Sequence, residues 1–229
     1  MKHRIINIVL LGLTLCALVS VSFGWWIEAT VTDSFLIQSA NISSTVTVYK
    51  GVDFNYDGNL DKTDGEDAYT EVLKTEKGSK QIVILDFRKS PTETLGSLLP
   101  NEIHTWKITV DNKGDANGYV YATIHGMTAE QKLMVKYMSL TYAGIKTYLY
   151  DAVNDPTKIV FGGDYQRDVV KVQSSKDFVI QIQLESFDDL VKNRVITGDI
   201  EEARKEYQSL QGMVFYDDSF EFLDVSLSG

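Results

Sequence analysis

The chain has 229 residues, of which 44% are hydrophobic and 24% charged, and its formal net charge is −10. This length and apolar content are enough for a globular core. So acidic a chain does not bind nucleic acid through its bulk charge. Its one cysteine, Cys16, lies in an apolar N-terminal segment, so the sequence beyond that segment excludes disulfides and cysteine metal sites.

The first 24 residues have the pattern of a secretory signal peptide. A basic start, Lys2 to Arg4, precedes an apolar run that reaches Gly24. Small residues allow cleavage after Gly24 or, with a weaker site, after Ala29. Because about 20 apolar residues can also span a bilayer, an uncleaved membrane anchor is the alternative. The segment predicts an N-terminal signal helix and a protein that is secreted to the extracellular matrix or the cell surface.

The next segment, from Trp25 to Phe35, has the alternation of a β-strand. One face carries Trp25, Ile27, Ala29 and Val31. A strand at a new N-terminus can complete its own sheet as an ordinary edge strand, or it can leave and complete the sheet of a neighbour. Repeated head-to-tail donation would build an open homopolymer.

An acidic loop follows at residues 53–64, with the sequence DFNYDGNLDKTD. Its oxygen-bearing side chains have the spacing of an EF-hand-type loop around Gly58, and Ca²⁺ prefers such oxygen ligands. The predicted metal ligands are Asp53, Asn55, Asp57, Asn59, Asp61 and Asp64, with Asn59 acting through its carbonyl. The stretch resembles dockerin-like calcium loops, and Asp64 replaces the longer Glu that is usual at the last position. A surface turn without metal is the alternative.

A short helix is predicted directly after this loop, from Glu66 to Lys74. Beyond it, alternation of apolar and polar residues predicts a series of strands. They lie within residues 44–50, 80–87, 104–112, 118–126, 144–151, 177–185 and 219–227. In the last of these the apolar phase shifts between Phe222 and Leu223, which predicts a β-bulge.

Two helices are predicted from capping patterns. One begins at Thr128, with Gln131 at capping-box spacing, and the other begins at Asp199 and ends at Gly212. The glycine-containing stretch FGGDYQRD, residues 161–168, lacks the residues of a phosphate-binding loop and predicts a hairpin turn. Together the elements predict a mainly β protein, with residues 25–229 forming a single β-sandwich domain that contains a few short helices.

Three blocks of sequence carry a family resemblance. They are GWWIEATVTDSFLIQSANISSTVTVY at residues 24–49, LLPNEIHTWKITVDNKGDANGYVYATI at residues 98–124, and EYQSLQGMVFYDDSFEFLDVSL at residues 206–227. As a set they resemble the TasA/camelysin family of exported Gram-positive proteins. The chain departs from the family pattern at Pro100-Asn101-Glu102, where Pro-Gly-Asp is usual, and its acidic loop resembles an insertion.

The resemblance implies a jelly-roll β-sandwich and processing by a SipW-type signal peptidase. It also implies a biofilm-matrix fibre, assembled when each subunit donates its N-terminal strand to the next. We therefore expect an exported structural subunit of an extracellular matrix or cell-surface fibre, stabilised by calcium, whose main partner is a second copy of the chain.

Two other functions stay open at this point. A monomeric cell-surface binding module for a glycan or a matrix partner would use exposed aromatic residues, and the candidates are Trp26, Tyr119, Tyr121 and Tyr165. A camelysin-like metalloprotease is disfavoured because the sequence has no HExxH motif and only His104 and His125 lie outside the signal segment. No catalytic residue is predicted, and Ca²⁺ is the one predicted cofactor.

Overall fold

A computed structural model describes residues 41–62, 68–89, 98–210 and 220–229. Strands hold 43% and helices 17% of this part, which confirms the prediction of a mainly β protein with few helices. The predicted signal helix and the predicted N-terminal strand, Trp25 to Phe35, lie outside the described residues. None of the helices within the described ranges has the length and apolar character of a transmembrane span.

Eleven strands are described, numbered here in chain order. They are β1 (Ser44–Gly51), β2 (Tyr69–Lys74), β3 (Lys80–Ile84), β4 (Ile103–Asn112), β5 (Gly118–Ile124), β6 (Met138–Tyr142), β7 (Ile145–Tyr148), β8 (Ile159–Gly162), β9 (Val169–Val170), β10 (Ser175–Leu184) and β11 (Glu221–Ser228).

The strands form two antiparallel sheets. Sheet A has six strands in the order β2-β1-β4-β10-β6-β7. Sheet B has five, in the order β3-β11-β5-β8, and β9 also pairs with β5. Since β8 and β9 pair with successive parts of β5, the segment between them is a connecting loop; the expectation of a hairpin turn there was wrong.

Most of the predicted strands are confirmed, and so is the bulge near the C-terminus. The register of β11 against β3 shifts between Glu221 and Leu223. The helix predicted from Glu66 to Lys74 is wrong over Tyr69–Lys74, which is strand β2 and pairs with β1. This segment holds Tyr, Thr and Val, which suit a strand, and the neighbouring edge of β1 supplies the backbone partners that decide between the two structures.

Both predicted capped helices are confirmed at their N-termini. Helix α1 (Ala129–Lys136) has a complete capping box between Thr128 and Gln131. A 3₁₀ helix (Ala152–Asn154) and helix α2 (Phe187–Lys192) follow. Helix α3 (Ile200–Ser209) is capped by Asp199 and ends three residues before the predicted Gly212, which lies outside the described residues.

The core lies between the inner faces of the two sheets. Aromatic rings from both sheets meet there: Phe161 of β8 lies 5.4 Å from Tyr142 of β6 and 6.2 Å from Phe178 of β10, measured between ring centroids. At the other end of the core, Phe87 meets Trp106 of β4 at 4.9 Å. Burial of these large rings stabilises the packing of the two sheets. Functional groups are therefore expected on the loops at the sheet ends, which do not contribute to this core.

Candidate functional site

The acidic loop leaves the end of β1 and is organised around Asp53. This side chain is only 6% exposed, and its two carboxylate oxygens accept hydrogen bonds from the backbone N–H groups of Tyr56 and Gly58, each at 2.8 Å. Gly58 has a φ of 88°, a conformation that glycine adopts without strain. The glycine at the sixth loop position therefore turns the chain back over Asp53, as the sequence pattern predicts.

The other predicted ligands follow Asp53 in the same coil. The N–H of Asp57 donates to the Asn55 side chain at 3.3 Å, and the N–H of Asn59 donates to Asp57 at 2.8 Å. The backbone bond from Asn59 lowers the pKa of the Asp57 carboxyl. Asp61 accepts a hydrogen bond from the N–H of Phe54, which closes the coil.

Five of the six predicted ligands thus share one compact loop. Asp64 lies outside the described residues. No three His, Cys, Asp or Glu side chains are placed to hold one ion within the described ranges. A closed calcium site would therefore depend on the amide and carbonyl oxygens of the loop and on Asp64. The ligand set stays a prediction.

Two contacts that the sequence did not predict fix this loop to sheet A. The carbonyl of Tyr56 accepts a hydrogen bond from the N–H of Ile103 at 2.8 Å, and the carbonyl of Gly58 accepts one from Gln181 Nε2 at 2.7 Å. Gln181 is 123 positions away in the sequence, and no local signal links it to the loop. The loop therefore rests on β4 and β10, and its tip is held at the sheet surface.

Three cations, Lys50, Arg88 and Lys89, line the same pocket as Asp53 at the base of this loop. Within the described part of the chain, no lysine or arginine forms a salt bridge with Asp53, Asp57 or Asp61. Carboxylates that lie close together without a cation repel one another. This arrangement favours the binding of a cation from solution.

Below the acidic loop lies His104, which is 2% exposed and stacks on Trp106 with ring centroids 5.7 Å apart. Its ring is 4.7 Å from that of Tyr56, and neither ring nitrogen has a hydrogen-bond partner among the described residues. Burial lowers the pKa of His104 to about 3, and the charges of Lys50 and Lys89 act in the same direction. At neutral pH the imidazole is an uncharged part of the aromatic core.

The second histidine, His125, contacts a different set of groups at the end of β5. Its Nδ1 lies 2.8 Å from Asp224, and its Nε2 lies 3.0 Å from Glu221. Lys80 of β3 also reaches Asp224, at 2.8 Å. These side chains connect β3, the end of β5 and β11, so the cluster joins three strands of sheet B.

A cluster of tyrosines lies on the outer face of sheet B. It consists of Tyr119 and Tyr121 on β5 and Tyr165 in the loop between β8 and β9. The ring centroids of Tyr119 and Tyr165 are 4.4 Å apart, and those of Tyr119 and Tyr121 are 6.0 Å apart. Three of the four aromatic residues predicted for ligand binding are thus neighbours, and Trp26 lies outside the described residues.

We call residues 163–168 the tyrosine loop. Its anchor is Asp168, which is 0% exposed. The Asp168 carboxylate accepts hydrogen bonds from the Tyr142 hydroxyl at 2.7 Å, from the N–H of Asp164 at 2.9 Å and from Arg167 Nε at 3.0 Å. Burial raises the pKa of Asp168, but the hydrogen bonds from Arg167 and Tyr142 outweigh it and the pKa is lowered overall.

No family model, curated protein or solved structure matches this chain. The resemblance to the TasA/camelysin family consequently stays a prediction from the three sequence blocks. The observations that bear on function are the two loops, the two histidines and the sheet edges of the molecule itself.

Proposed function

We propose that the chain is an exported structural subunit of an extracellular matrix or cell-surface fibre, assembled by donation of its N-terminal strand and stabilised by calcium. The observation that carries this proposal is the pair of antiparallel sheets, whose described edge strands present apolar side chains to solvent. In this proposal the sheets form a jelly-roll sandwich and the signal segment directs export, with cleavage by a SipW-type peptidase.

The edges support strand addition. Ile145 on β7, at one end of sheet A, is 59% exposed, and Ile82 on β3 and Ile159 on β8 are also exposed at the ends of sheet B. An edge strand offers a row of backbone groups to an incoming strand, and exposed apolar side chains add contacts that set its register. The alternating segment from Trp25 to Phe35 has a complementary apolar face.

The acidic loop supports a link between calcium and folding. Its described carboxylates form no salt bridge with a described lysine or arginine, and the coil is already shaped by backbone hydrogen bonds to Asp53, Asp57 and Asp61. An ion that binds only the folded chain stabilises it by mass action. Because free calcium is higher outside cells, this ion would order the loop after export.

The test of this function is sedimentation of two forms of the chain, one begun at Trp25 and one begun at Ser34. Each form is measured with Ca²⁺ and with chelator. We expect polymers from the longer form and monomers from the shorter one, because only the longer form keeps the alternating donor segment.

A matched variant identifies the acceptor edge. Ile145→Lys places a charge on the edge of β7, where an added strand would have to bury it, and Ile159→Lys and Ile82→Lys do the same on β8 and β3. One of these changes should prevent polymer formation by the Trp25 form while leaving the subunit folded. Compact monomers from both forms in both conditions would contradict the fibre proposal and favour a surface binding module.

A further inference from the structure

On the outer face of sheet B, small residues lie beside the tyrosine cluster on both neighbouring strands. On β11, Ser226 pairs with Tyr121 and Ser228 pairs with Tyr119. On the opposite side, Gly162 pairs with Tyr121. A Cβ at Gly162 would lie 2.3 Å from the carbonyl oxygen of Val120, so no side chain fits at that position. The rings therefore stand beside hydroxyl groups and backbone.

The third ring, Tyr165, is presented by a loop that is held in place before any ligand binds. Tyr165 itself is 70% exposed, yet its neighbours are fixed. Asp164 accepts hydrogen bonds from the N–H groups of Gln166 and Arg167, at 2.8 and 2.9 Å, and the buried Asp168 holds the loop from below. Such preorganisation lowers the entropy cost of binding.

The Tyr119 hydroxyl interacts with the hydroxyls of Tyr165 and Ser228. Hydrogen bonding to Tyr165 lowers the pKa of Tyr119, and hydrogen bonding to Ser228 lowers it further. The cluster thus offers ring faces for stacking and a group of hydroxyls for hydrogen bonds within one small area. This combination matches a sugar ring, which has apolar C–H faces and a polar edge.

The size of the surface favours a small ligand over a protein. Each tyrosine contributes at most about 250 Å², whereas a stable protein interface needs about 800 Å² on each partner. Three partly covered rings do not reach that area.

The negative charge of the chain favours neutral polysaccharides over anionic ones. The formal net charge is −10, which repels polyanions. Arg167, the cation of the tyrosine loop, pairs with Asp168 at 3.0 Å. We propose that Tyr119, Tyr121 and Tyr165 form a binding platform for a neutral polysaccharide. This inference goes beyond the fibre function and does not depend on it, since a monomer carries the whole platform.

The test is affinity electrophoresis of the exported protein, purified from cells that process it. Native gels contain one neutral polymer each, namely a glucan, a mannan, a galactan or a soluble chitin derivative, and a further gel contains anionic alginate. At least one neutral polymer should retard the wild-type protein, and alginate should not. Tyr165→Ala should raise the apparent Kd about tenfold, the effect of losing one stacked ring.

Two control variants make this result specific. Tyr165→Phe keeps the ring and should bind within about threefold of wild type. Val179→Ala removes an exposed apolar side chain from β10 of the other sheet and should bind as wild type does. Because Tyr165 lies at the surface, thermal melting of its variants should match that of the wild type.

Three results would overturn the proposal. They are equal mobility of the wild type in all neutral gels and in polymer-free gels, equal retardation of wild type and Tyr165→Ala, and stronger retardation by alginate than by any neutral polymer. If Tyr165→Ala instead changes the sedimentation of the protein without changing sugar binding, the face is a contact between copies and the platform is also rejected.

Discussion

The acidic loop and the tyrosine loop are each organised around a buried aspartate, and they differ in how the charge of that aspartate is balanced. In each, an almost fully buried aspartate accepts backbone N–H groups and shapes the chain around itself: Asp53 in one and Asp168 in the other. The Asp168 carboxylate also accepts hydrogen bonds from the Arg167 side chain and from the Tyr142 hydroxyl. Asp53, Asp57 and Asp61 form no salt bridge with a lysine or arginine within the described residues.

The difference indicates two ways to stabilise a buried carboxylate. Removing such a group from water costs free energy unless hydrogen bonds and an opposite charge compensate. The tyrosine loop carries its counter-charge in its own sequence, so it is complete as soon as the chain folds. The acidic loop has only the hydrogen bonds, and its stability should depend on the ions in solution.

The largest effect on stability is expected when the ion pair of Asp168 with Arg167 in the tyrosine loop is removed. Asp168→Asn keeps the size of the side chain but removes its charge, which holds Arg167. It also removes one of the two carboxylate oxygens that can accept the N–H of Asp164. We expect a loss of about 3 kcal/mol in the free energy of unfolding. Urea denaturation measures this loss. Asp151→Asn is the control, because Asp151 is largely exposed and 3.9 Å from Lys158; equal stability of the two variants would contradict the argument.

A smaller effect is expected at the base of the acidic loop, where His104 is held neutral. Its pKa is about 3 in the folded chain, below the value of about 6.5 for an unfolded chain. As the pH falls below about 6.5, the unfolded chain therefore gains a proton that the folded chain does not take up, and stability is lost. The loss is about 1.4 kcal/mol per pH unit, or about 2 kcal/mol at pH 5.

His104→Leu tests this assignment, since leucine fills the aromatic pocket and does not titrate. The difference in unfolding free energy between wild type and His104→Leu should change steadily from pH 7 to pH 4.5. Chemical denaturation at several pH values gives this difference. A constant difference would show that His104 does not govern the acid sensitivity of this region.

The smallest effect is expected from the ion itself. At a calcium concentration about ten times the Kd, binding should stabilise the folded chain by about 1.4 kcal/mol. Asp57→Asn should remove most of this gain in melting experiments with Ca²⁺ and chelator. Asp155→Asn is a matched control, because Asp155 is also exposed in a turn and bonded to the N–H of Thr157. Equal calcium responses in the two variants would contradict the metal assignment.

The sequence predicted local structure better than it predicted contacts between distant segments. Alternation of apolar residues correctly predicted strands such as β4 and β10, and the phase shift at Phe222 correctly predicted the bulge, because both depend on neighbouring side chains. The same reasoning failed for Tyr69–Lys74. Short segments have weak preferences of their own, and pairing with β1 decided the structure.

The candidate sites show the same limit. The spacing of residues 53–61 predicted a coil around Gly58, and the described loop has that form. Nothing near it in the sequence pointed to Gln181, which reaches the Gly58 carbonyl from β10. Likewise, the convergence of Tyr119 and Tyr165 depends on how β8 and β9 share β5, which is a property of the sheet topology.

The pairing of β4 with β10 at the centre of sheet A has a mechanical consequence. The two strands are matched without interruption from Ile103 opposite Gln183 to Asp111 opposite Ser175. When two such strands are pulled apart along their length, all the hydrogen bonds between them bear the load together and must break nearly at once. A chain with this pair at the centre of a sheet should resist tension along these strands far better than tension that peels an edge strand away.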